Sequence, residues 1–538
     1  MDVGRIVEIL RDPASYPHPA DRLKLHQTHI SVVALAGPWA YKVKKPVDRG
    51  FLDFTTLEKR HTFCRREVEL NRRLAPDVYR GVVPLTRDGD GTIRVDGTGE
   101  PVEWAVKMRR LPPDATLLAR EERGELAPEH VDRVARRVAE FHRRAASGPE
   151  ISRFGRWDVV AHNARENFTQ SLCHVERTVS RDVLGRTARL TEAELEERRR
   201  LIEERARSGV PRDTHGDLHL DHVYLLPDRE PPGDLVVVDC IEFSDRLRYA
   251  DPVADVAFLY MDLAFRGRRR LAERLAEVYF RETGDEEGRR LLPLYVAYRA
   301  HVRGKVEAMT LDDPDVEGEE RKRAARDARA HWLLGLDRLA PPARRPALLL
   351  VGGLPATGKS TLGRALAREA NFRIVATDAT RKRLAGLSPT GDAESEFGEG
   401  IYGREWTDRT YATCLEDAGR LLFQGFRVIV DATFHDEERR RRFFDAADRW
   451  GVPVRFLQCR ADPDVVRRRL ELREGDVSDA GLEVYRRMSR EWDEAGPRTR
   501  GRTHEIRTDV PASESTGAAL ALLRRADLLP SLAGPEEG

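Results

Sequence analysis

At 538 residues the chain is too long for one hydrophobic core, which predicts two or three domains. Its 93 basic and 92 acidic side chains give a formal net charge of +1, and this balance argues against nucleic-acid binding through overall charge. No apolar run reaches the length of a membrane span, and the N-terminus lacks the apolar core of a signal peptide, so we expect a cytoplasmic protein. The five cysteines are scattered and form no C-x-x-C pair, so we expect neither a disulfide framework nor a zinc site built on cysteine.

The first part of the chain predicts short strands followed by helices. In chain order, the predicted elements are strands at 28–35 and 39–44, a helix at 61–74, further strands up to residue 108, a mainly helical region from residue 128, and a strand pair at 223–226 and 235–239. The strand pair interrupts an otherwise helical region and lies next to the first motif that indicates chemistry.

That motif is the segment 215–222, which reads HGDLHLDH, and the strand 235–238 that follows it ends at Asp239. A carboxylate on a loop, followed by a second carboxylate at a strand end, suits phosphoryl transfer. Asp217 would take the proton of an acceptor hydroxyl and Asp239 would hold Mg²⁺.

This arrangement resembles the aminoglycoside phosphotransferase and choline-kinase group, a branch of the protein-kinase-like fold with the signature H-G-D-x-x-x-x-N followed by an I-D segment. The resemblance spans roughly residues 32–303. It implies a bilobal α+β domain that uses ATP, with Asp217 as the catalytic base and Asp239 as the metal ligand. It also implies that Asp251 and Asp255 brace the catalytic loop.

Two lysines on the predicted strand 39–44 extend the resemblance. Lys42 and Lys44 lie on the same face of that strand, and the group uses one such lysine to contact the ATP phosphates. We prefer Lys42 without excluding Lys44. Glu67, on the following helix, is the ion-pair partner that the resemblance implies for this lysine.

The sequence departs from the group at one metal position, where His222 stands in place of the expected Asn. Mg²⁺ prefers oxygen ligands, whereas neutral imidazole suits softer metals. We keep His222 as a candidate metal ligand together with Asp239. Two interpretations of this first domain therefore stay open: a second phosphotransferase, or a degenerate kinase fold that recognises substrate or regulates its partner domain.

A proline-rich stretch, APPARRP at 340–346, interrupts the helical pattern. Because proline removes a backbone donor and disfavours helix, we interpret this stretch as an extended linker. The predicted divisions of the chain are a first domain at 1–339, a linker at 340–346, a second domain at 347–532 and a disordered tail at 533–538.

After the linker, strands and helices alternate. The strand candidates are 347–352, 373–376, 427–430 and 454–458. Such alternation predicts an α/β domain whose parallel sheet is covered by helices on both faces.

The first of these strands runs into residues 353–360, GLPATGKS, which satisfy the phosphate-loop pattern G-x-x-x-x-G-K-[ST]. In this geometry, backbone N–H groups and a helix N-terminus surround a polyphosphate, Lys359 reaches the β- and γ-phosphates, and Ser360 binds Mg²⁺. The predicted nucleotide-binding residues are Gly353, Leu354, Pro355, Ala356, Thr357, Gly358, Lys359, Ser360 and Thr361.

Two further strand ends carry carboxylates. Asp378 and Arg381 lie three residues apart at a predicted helix start, where Asp378 would accept the substrate proton and Arg381 would hold substrate or the γ-phosphate. The alternative is that Asp378 only caps the helix. Asp431, at the tip of the third strand, would hold Mg²⁺ or position the acceptor hydroxyl.

An arginine-rich helix, RRRLELR at 467–473, follows the fourth strand. Arg467 and Arg473 could close over the triphosphate as a lid, and the alternative for each is a solvated helix face.

These features resemble the small-molecule and polynucleotide kinase group of P-loop proteins, which includes gluconate kinases, zeta toxins and 5′-hydroxyl polynucleotide kinases. The resemblance covers most of 348–527. It implies that Asp378 is the base and that a lid arginine stabilises the transferred phosphoryl group.

Together, the two halves predict a bifunctional enzyme that uses ATP and Mg²⁺ to phosphorylate a hydroxyl of a small molecule or nucleotide. The alternative is a nucleotide-switched interaction protein that phosphorylates little or nothing. The sequence indicates neither the acceptor nor the oligomeric state.

Overall fold

The apolar segment before the glycine-rich loop is buried along its whole length, from Ala347 to Gly352, and forms the central strand of a five-stranded sheet. The computed structural model describes residues 1–538 with the exception of 21, 49, 51, 315, 388–402, 475–478 and 532–538, and of the side chains of 473, 474 and 479–481. The predicted tail at 533–538 and the side chain of Arg473 therefore lie outside the described residues.

The strands are β1 (Lys24–Gln27), β2 (Ser31–Ala36), β3 (Trp39–Lys44), β4 (Tyr79–Arg87), β5 (Ile93–Val95), β6 (Glu100–Arg109), β7 (Arg212–Asp213), β8 (Val223–Leu225), β9 (Leu235–Val237), β10 (Tyr249–Ala250), β11 (Ala347–Gly352), β12 (Phe372–Ala376), β13 (Arg427–Asp431), β14 (Val454–Arg460) and β15 (Thr503–Arg507).

The helices are α1 (Val3–Arg11), α2 (Leu57–Asn71), α3 (Leu117–Glu122), α4 (Pro128–Arg144), α5 (Pro149–Ser152), α6 (Trp157–Gln170), α7 (Arg181–Glu197), α8 (Arg199–Arg207), α9 (Asp245–Arg248), α10 (Val253–Phe265), α11 (Arg269–Thr283), α12 (Glu286–Arg289), α13 (Leu292–Thr310), α14 (Gly318–Leu339), α15 (Lys359–Glu369), α16 (Thr377–Leu384), α17 (Arg404–Phe423), α18 (Glu437–Arg449), α19 (Pro463–Glu474), α20 (Asp479–Arg490) and α21 (Ala512–Arg525). None of the helices in the described ranges is long and apolar enough to cross a membrane.

The chain divides into two units. The N-terminal unit comprises residues 1–161, 197–264 and 268–295, and the C-terminal unit comprises residues 162–196, 265–267 and 296–538. The boundary between these contact-based units does not fall at 340–346. The domain boundaries that we infer from the sequence therefore stay a prediction.

The N-terminal unit contains a six-stranded antiparallel sheet in the order β1-β2-β3-β6-β4-β5 and a separate antiparallel pair, β8-β9. Helix α2 packs against this sheet, because Cys64 and Val68 share a buried cluster with Tyr79 of β4 and Val106 of β6. The sheet, this helix and the helical remainder give the mixed α+β architecture that the sequence predicts.

Two element starts in this unit differ from the prediction for local reasons. Strand β2 begins only at Ser31, because the Ser31 amide donates to the Thr28 hydroxyl (3.0 Å) in a turn. Helix α2 begins four residues early, at Leu57, because Thr56 caps it by accepting a hydrogen bond from the Lys59 amide.

The C-terminal unit contains a five-stranded sheet in the order β12-β13-β11-β14-β15, and every strand pair in it is parallel. Alternate residues of β11 face opposite sides of this sheet. Leu348 and Leu350 belong to one buried cluster, whereas Leu349 and Val351 belong to another. The predicted parallel sheet with helices on both faces is confirmed.

Part of one helical layer comes from chain before residue 340. Val183 of α7 and Trp332 of α14 lie in the same buried cluster as Leu348 and Leu350. Helices α17 and α18 complete this layer, while α15 and α21 cover the other face.

The prediction of an extended linker is wrong for Pro342–Arg344, which form a short 3-10 turn. The turn is held in place because Arg427 donates a hydrogen bond to the Pro342 carbonyl (2.9 Å). Ala340, at the start of the segment, is buried.

His301 provides a test of this packing. Its ring packs against Phe168 and Trp332, at centroid distances of 5.1 and 5.0 Å, and its Nε2 has no hydrogen-bond partner within the described part of the chain. Burial lowers the pKa of His301 to about 3. As the pH falls below about 6.5, His301 binds a proton in the unfolded chain, whereas in the folded protein it stays neutral until near pH 3. The contribution of neutral His301 to the free energy of unfolding is therefore complete above about pH 6.5 and decreases below it.

We therefore expect the melting temperature to fall as the pH is lowered from 7.5 to 4.5, and to fall less steeply in His301→Leu, which keeps a similar volume. The exposed His162 supplies the control variant, His162→Leu, whose pH slope should match the wild type. Equal slopes for the His301→Leu variant and the wild type, measured by differential scanning calorimetry, would contradict the assignment.

Candidate functional site

Two glycines determine the shape of the phosphate loop between β11 and α15. Gly353 has φ +152°, and a Cβ there would lie 2.6 Å from Thr357 Oγ1 and 2.7 Å from the Cys459 carbonyl oxygen. Gly358 has φ +86° and is the N-cap of α15, of which Lys359 is the first residue. The loop therefore leads directly into a helix N-terminus, as an anion-binding loop requires.

Asp431 lies at the same edge of the sheet as this loop. In the parallel register it is opposite Val351 on one side and Ala376 on the other. Its carbonyl oxygen accepts a hydrogen bond from Thr377 Oγ1 (3.2 Å), at the start of α16. The ends of β11, β12 and β13 therefore bring the phosphate loop, Asp431 and the Asp378 helix together.

The side chain of Asp431 is buried and contacts the Ser360 hydroxyl. Burial raises the pKa of Asp431, while the hydrogen bond from Ser360 and the charge of Lys359 act in the opposite direction. The negative charge of Asp378 raises the pKa further. A hydroxyl and a carboxylate in contact beside a lysine are oxygen ligands of the kind that Mg²⁺ prefers.

Asp378 lies in the first turn of α16 with 69% of its side chain exposed. The N-cap of this helix is Ala376, which makes no side-chain capping bond. Asp378 is therefore not the N-cap residue that the alternative interpretation required. Lys382, one turn on, places Nζ 3.8 Å from the Asp378 carboxylate, and Arg381 donates to Thr407 Oγ1 (3.3 Å). We did not predict Lys382 from the sequence, although the i, i+4 spacing signals it.

Among the described side chains of the arginine-rich helix, Arg469 contacts the phosphate loop. Its guanidinium donates to the carbonyl oxygens of Ala356 (3.3 Å) and Thr508 (2.6 Å). Arg467, which we predicted, lies instead beside Asp464 at 3.5 Å and is half exposed. Arg469 belongs to the same arginine run, but Thr508 follows β15, a strand that the sequence pattern did not reveal because only Ile506 in it is buried.

A cavity of about 290 Å³ adjoins the loop. Its walls include Gly358, Thr361, Arg469, Thr508 and Ser515. The cavity therefore extends from the phosphate loop, and Arg469 forms part of its wall.

In the N-terminal unit, the two candidate lysines have different surroundings. Lys42 Nζ lies 2.6 Å from Asp239 and 3.0 Å from Glu67, and its side chain is 13% exposed. Lys44 is fully buried against Glu67 (2.7 Å) and Glu242. The expected ion pair with Glu67 thus forms with both lysines, and Lys42 is the one that reaches Asp239.

Burial would lower the pKa of Lys42, but the charges of Asp239 and Glu67 raise it well above its ordinary value. Burial would likewise raise the pKa of Asp239, yet Lys42 and His222 hold it below its usual range. Both groups are therefore charged at neutral pH.

Asp255 holds the start of the loop 215–222 through hydrogen bonds to its backbone. Its carboxylate accepts hydrogen bonds from the backbone amides of His215 (2.6 Å) and Gly216 (2.9 Å). Burial lowers the pKa of His215 to about 4, and the ring lies 3.0 Å from the Val238 carbonyl, which suits a supporting role. Asp251 pairs instead with Arg205 (2.7 Å).

The remaining groups of this loop converge. His219 Nε2 and His222 Nδ1 lie 3.6 and 3.7 Å from Asp217 Oδ2, and His222 Nε2 lies 3.7 Å from Asp239 Oδ2. Asp239 adopts φ +66°, and its amide donates to the Tyr79 hydroxyl (3.1 Å). The structure thus brings the predicted Asp217, His222 and Asp239 together and adds His219, to which we assigned no metal role from the sequence.

Comparisons with known proteins match the two halves separately. A model of the phosphotransferase enzyme family matches residues 41–292, and a model of an AAA domain matches residues 348–495. Proteins of Mycobacterium tuberculosis and Mycobacterium bovis are 35% identical over 510 residues, which cover 94% of this chain and 96% of each relative.

Shorter likenesses fall on kinases. A shikimate kinase of Corynebacterium glutamicum is 38% identical over 88 residues, 16% of this chain and 50% of that enzyme. Among solved structures, a gluconokinase from Sinorhizobium meliloti is 19% identical with a TM-score of 0.26, and the match covers 34% of this chain and 93% of that one. A sugar kinase from Janibacter sp. HTCC2649 is 16% identical with a TM-score of 0.27, over 35% of this chain and 99% of that one.

The close approach at Gly353 predicts a strong effect of a single methyl group. Gly353→Ala should weaken binding of an ATP analogue by about tenfold or more, because the Cβ collides with the Cys459 carbonyl of β14 and the loop must move away from the strand to relieve the clash. Gly517, in α21, has open space around its Cβ position, so Gly517→Ala is the matched control and should leave affinity unchanged. Isothermal titration with a non-hydrolysable analogue measures both; equal affinities would contradict the steric argument.

Arg469 and Arg467 offer a second matched pair. Arg469→Ala should raise the Kd for the same analogue by about five- to thirtyfold, because it removes two hydrogen bonds that hold the loop and the cavity wall. Arg467→Ala should change the Kd less than about twofold, because a half-exposed pair with Asp464 contributes little. The reverse order of effects would show that Arg467 is the lid residue.

Proposed function

This chain belongs to the same family as the mycobacterial proteins and itself joins a phosphotransferase-family domain to a P-loop kinase domain, and we propose that its C-terminal unit transfers the γ-phosphate of ATP to a hydroxyl of a small molecule or nucleotide. The predicted fusion and fold class are confirmed. ATP-dependent phosphotransfer is the activity that both domain families support.

The observation that carries the proposal is the contact of Asp431 with Ser360. The charges of Lys359 and Asp378 are close enough to this contact to shift the pKa of Asp431. A phosphate loop alone fits any nucleotide-binding protein. Two carboxylates beside the loop, one buried and one exposed, fit a kinase because phosphoryl transfer needs both a metal ligand and a group that accepts the hydroxyl proton.

The oxygen ligands suit ATP with Mg²⁺. The loop amides and Lys359 would hold the phosphates, while Ser360 and Asp431 would hold the ion. When bound, the ion would neutralise phosphate charge during transfer. Arg469 would close the nucleotide side of the site.

The residues of this chain then divide the transfer step among themselves. Asp378 accepts the proton of the acceptor hydroxyl, whose oxygen forms the new bond to the γ-phosphorus. The bond between that phosphorus and the β–γ bridging oxygen breaks, and ADP leaves with the electron pair, its charge stabilised by Lys359. Arg381 orients the acceptor or the transferred group.

The exposure of Asp378 supports transfer over a pure nucleotide switch, because an acceptor can reach its carboxylate from solvent. Lys382 and Arg381 flank Asp378, and their positive charge favours an acceptor that carries a negative group near its hydroxyl. A nucleotide or a carboxylated small molecule meets that requirement.

The role of the N-terminal domain is a separate question, and both interpretations remain: a second phosphotransferase that uses Asp217 and Asp239, or a substrate-binding or regulatory kinase fold. His222 stands where the resemblance implies an asparagine, and it supports the second interpretation because Mg²⁺ prefers oxygen ligands to imidazole.

A metabolite-library screen for ADP formation tests the C-terminal proposal with full-length protein. Lys359→Ala should lower acceptor-dependent ADP formation by about 100-fold or more, because the phosphates lose their principal cation. Lys322→Ala removes an exposed lysine paired only with Glu319 in the described contacts and should behave like the wild type. Unchanged turnover in the Lys359→Ala variant would refute the proposal.

Asp217→Asn, assayed in the same screen, separates the two roles of the N-terminal domain. Unchanged ADP formation identifies a binding or regulatory domain, and a large loss with any acceptor identifies a second catalytic centre. ADP formation that is equally fast with water alone and with every acceptor would favour the nucleotide-switch alternative.

A further inference from the structure

Four side chains of the N-terminal unit, Asp217, His219, His222 and Asp239, converge at the end of the hairpin β8-β9, and we refer to them as the His–Asp cluster. Ligand atoms of Asp217, His219 and His222 all lie within 4.8 Å of one another. The two imidazole rings of His219 and His222 have a centroid distance of 3.7 Å and an angle of 36° between their planes. Two rings and the Asp217 carboxylate therefore surround one small volume, and the Asp239 carboxylate adjoins it, 3.7 Å from His222 Nε2.

The hydrogen bond made by His222 determines which ring nitrogen can bind a metal. Nδ1 lies 2.9 Å from the backbone carbonyl oxygen of Asp217, and a carbonyl can only accept, so Nδ1 carries the hydrogen. Nε2 then keeps its lone pair and points toward Asp239 Oδ2, 3.7 Å away. A ligand histidine with its other nitrogen bonded to a backbone carbonyl is the usual arrangement in protein metal sites.

Mg²⁺ does not fit this set of donors. It requires near-octahedral oxygen coordination at about 2.0–2.1 Å and binds imidazole poorly. In the cluster, two of the four groups offer nitrogen, and Asp239 Oδ1 is already engaged by Lys42 at 2.6 Å. Nitrogen and carboxylate oxygen together suit Zn²⁺ and similar divalent transition metals, which accept four ligands.

We propose that the His–Asp cluster binds a divalent transition-metal ion, Zn²⁺ or one of similar ligand preference, through Asp217, His219 and His222, with Asp239 as the fourth group. The proposal concerns the N-terminal unit and does not depend on the function proposed for the C-terminal unit. It gives Asp217 the role of a metal ligand. The His–Asp cluster would then bind a transition metal, whereas the phosphate-loop site would bind Mg²⁺.

Cobalt provides the direct test, because Co²⁺ replaces Zn²⁺ and has visible absorption bands that report its coordination. Full-length protein is stripped with a chelator and titrated with Co²⁺ without nucleotide, so that the phosphate-loop site is not supported by ATP. We expect one equivalent of Co²⁺ with bands typical of four nitrogen and oxygen ligands. Zn²⁺ should displace it stoichiometrically, and a 100-fold excess of Mg²⁺ should not.

Two variants locate the site. His219→Ala and His222→Asn should each weaken Co²⁺ binding by about tenfold or more, and His222→Asn should also let Mg²⁺ compete, since it restores an oxygen ligand. His26→Ala, an exposed histidine on β1, is the matched control and should bind Co²⁺ like the wild type. His219→Ala keeps the loop hydrogen bond of His222, so it remains informative should His222→Asn fail to fold.

Circular dichroism of the metal-free proteins checks that each variant is folded. The proposal is overturned if folded His219→Ala binds Co²⁺ as tightly as the wild type, if no stoichiometric Co²⁺ binds to the wild type, or if Mg²⁺ displaces Co²⁺ at equal concentration.

Discussion

In the C-terminal unit, β11 pairs in parallel with β13, and Val351 lies opposite Asp431. Parallel strands end at the same edge of a sheet, so this one register brings a loop and a carboxylate separated by more than 70 residues into one crevice. Burial of β11 on both faces holds the register, because a slip of one residue would exchange Leu348 and Leu350 with Leu349 and Val351. The contact between Ser360 and Asp431 depends on that constraint.

The N-terminal unit assembles its site through buried charge instead. Lys42 and Lys44 lie among the carboxylates of Glu67, Asp239 and Glu242, which join β3, α2 and the chain after β9. Lys44 is fully buried, so its removal would leave the carboxylates of Glu67 and Glu242 with too little positive charge beside them, and breaking a buried ion pair in this way typically costs about 3–5 kcal/mol. The network therefore orients Asp239 at the same time as it stabilises the unit, and it leaves the second carboxylate oxygen of Asp239 facing His222 Nε2 at 3.7 Å.

Sequence reasoning reached most of the elements but not all of their neighbours. The phosphate loop, β3 and β11 could be predicted because fixed spacing and apolar runs are local signals. Thr508 could not, since β15 has a single buried apolar residue and does not stand out as a strand. The layer that α7 and α14 contribute to the C-terminal sheet was also beyond reach, because their apolar faces do not indicate which sheet they cover.

The sequence by itself determined the chemistry available in each half: a phosphate loop with Lys359 and Ser360, and a loop that carries Asp217 ahead of Asp239. Only the tertiary structure decided which of several similar residues take part. Arg469 rather than Arg467 contacts the phosphate loop, and Lys42 rather than Lys44 contacts Asp239. Neighbouring residues of one type look equivalent in a sequence, and their roles differ only once packing aims each side chain at partners from distant parts of the chain.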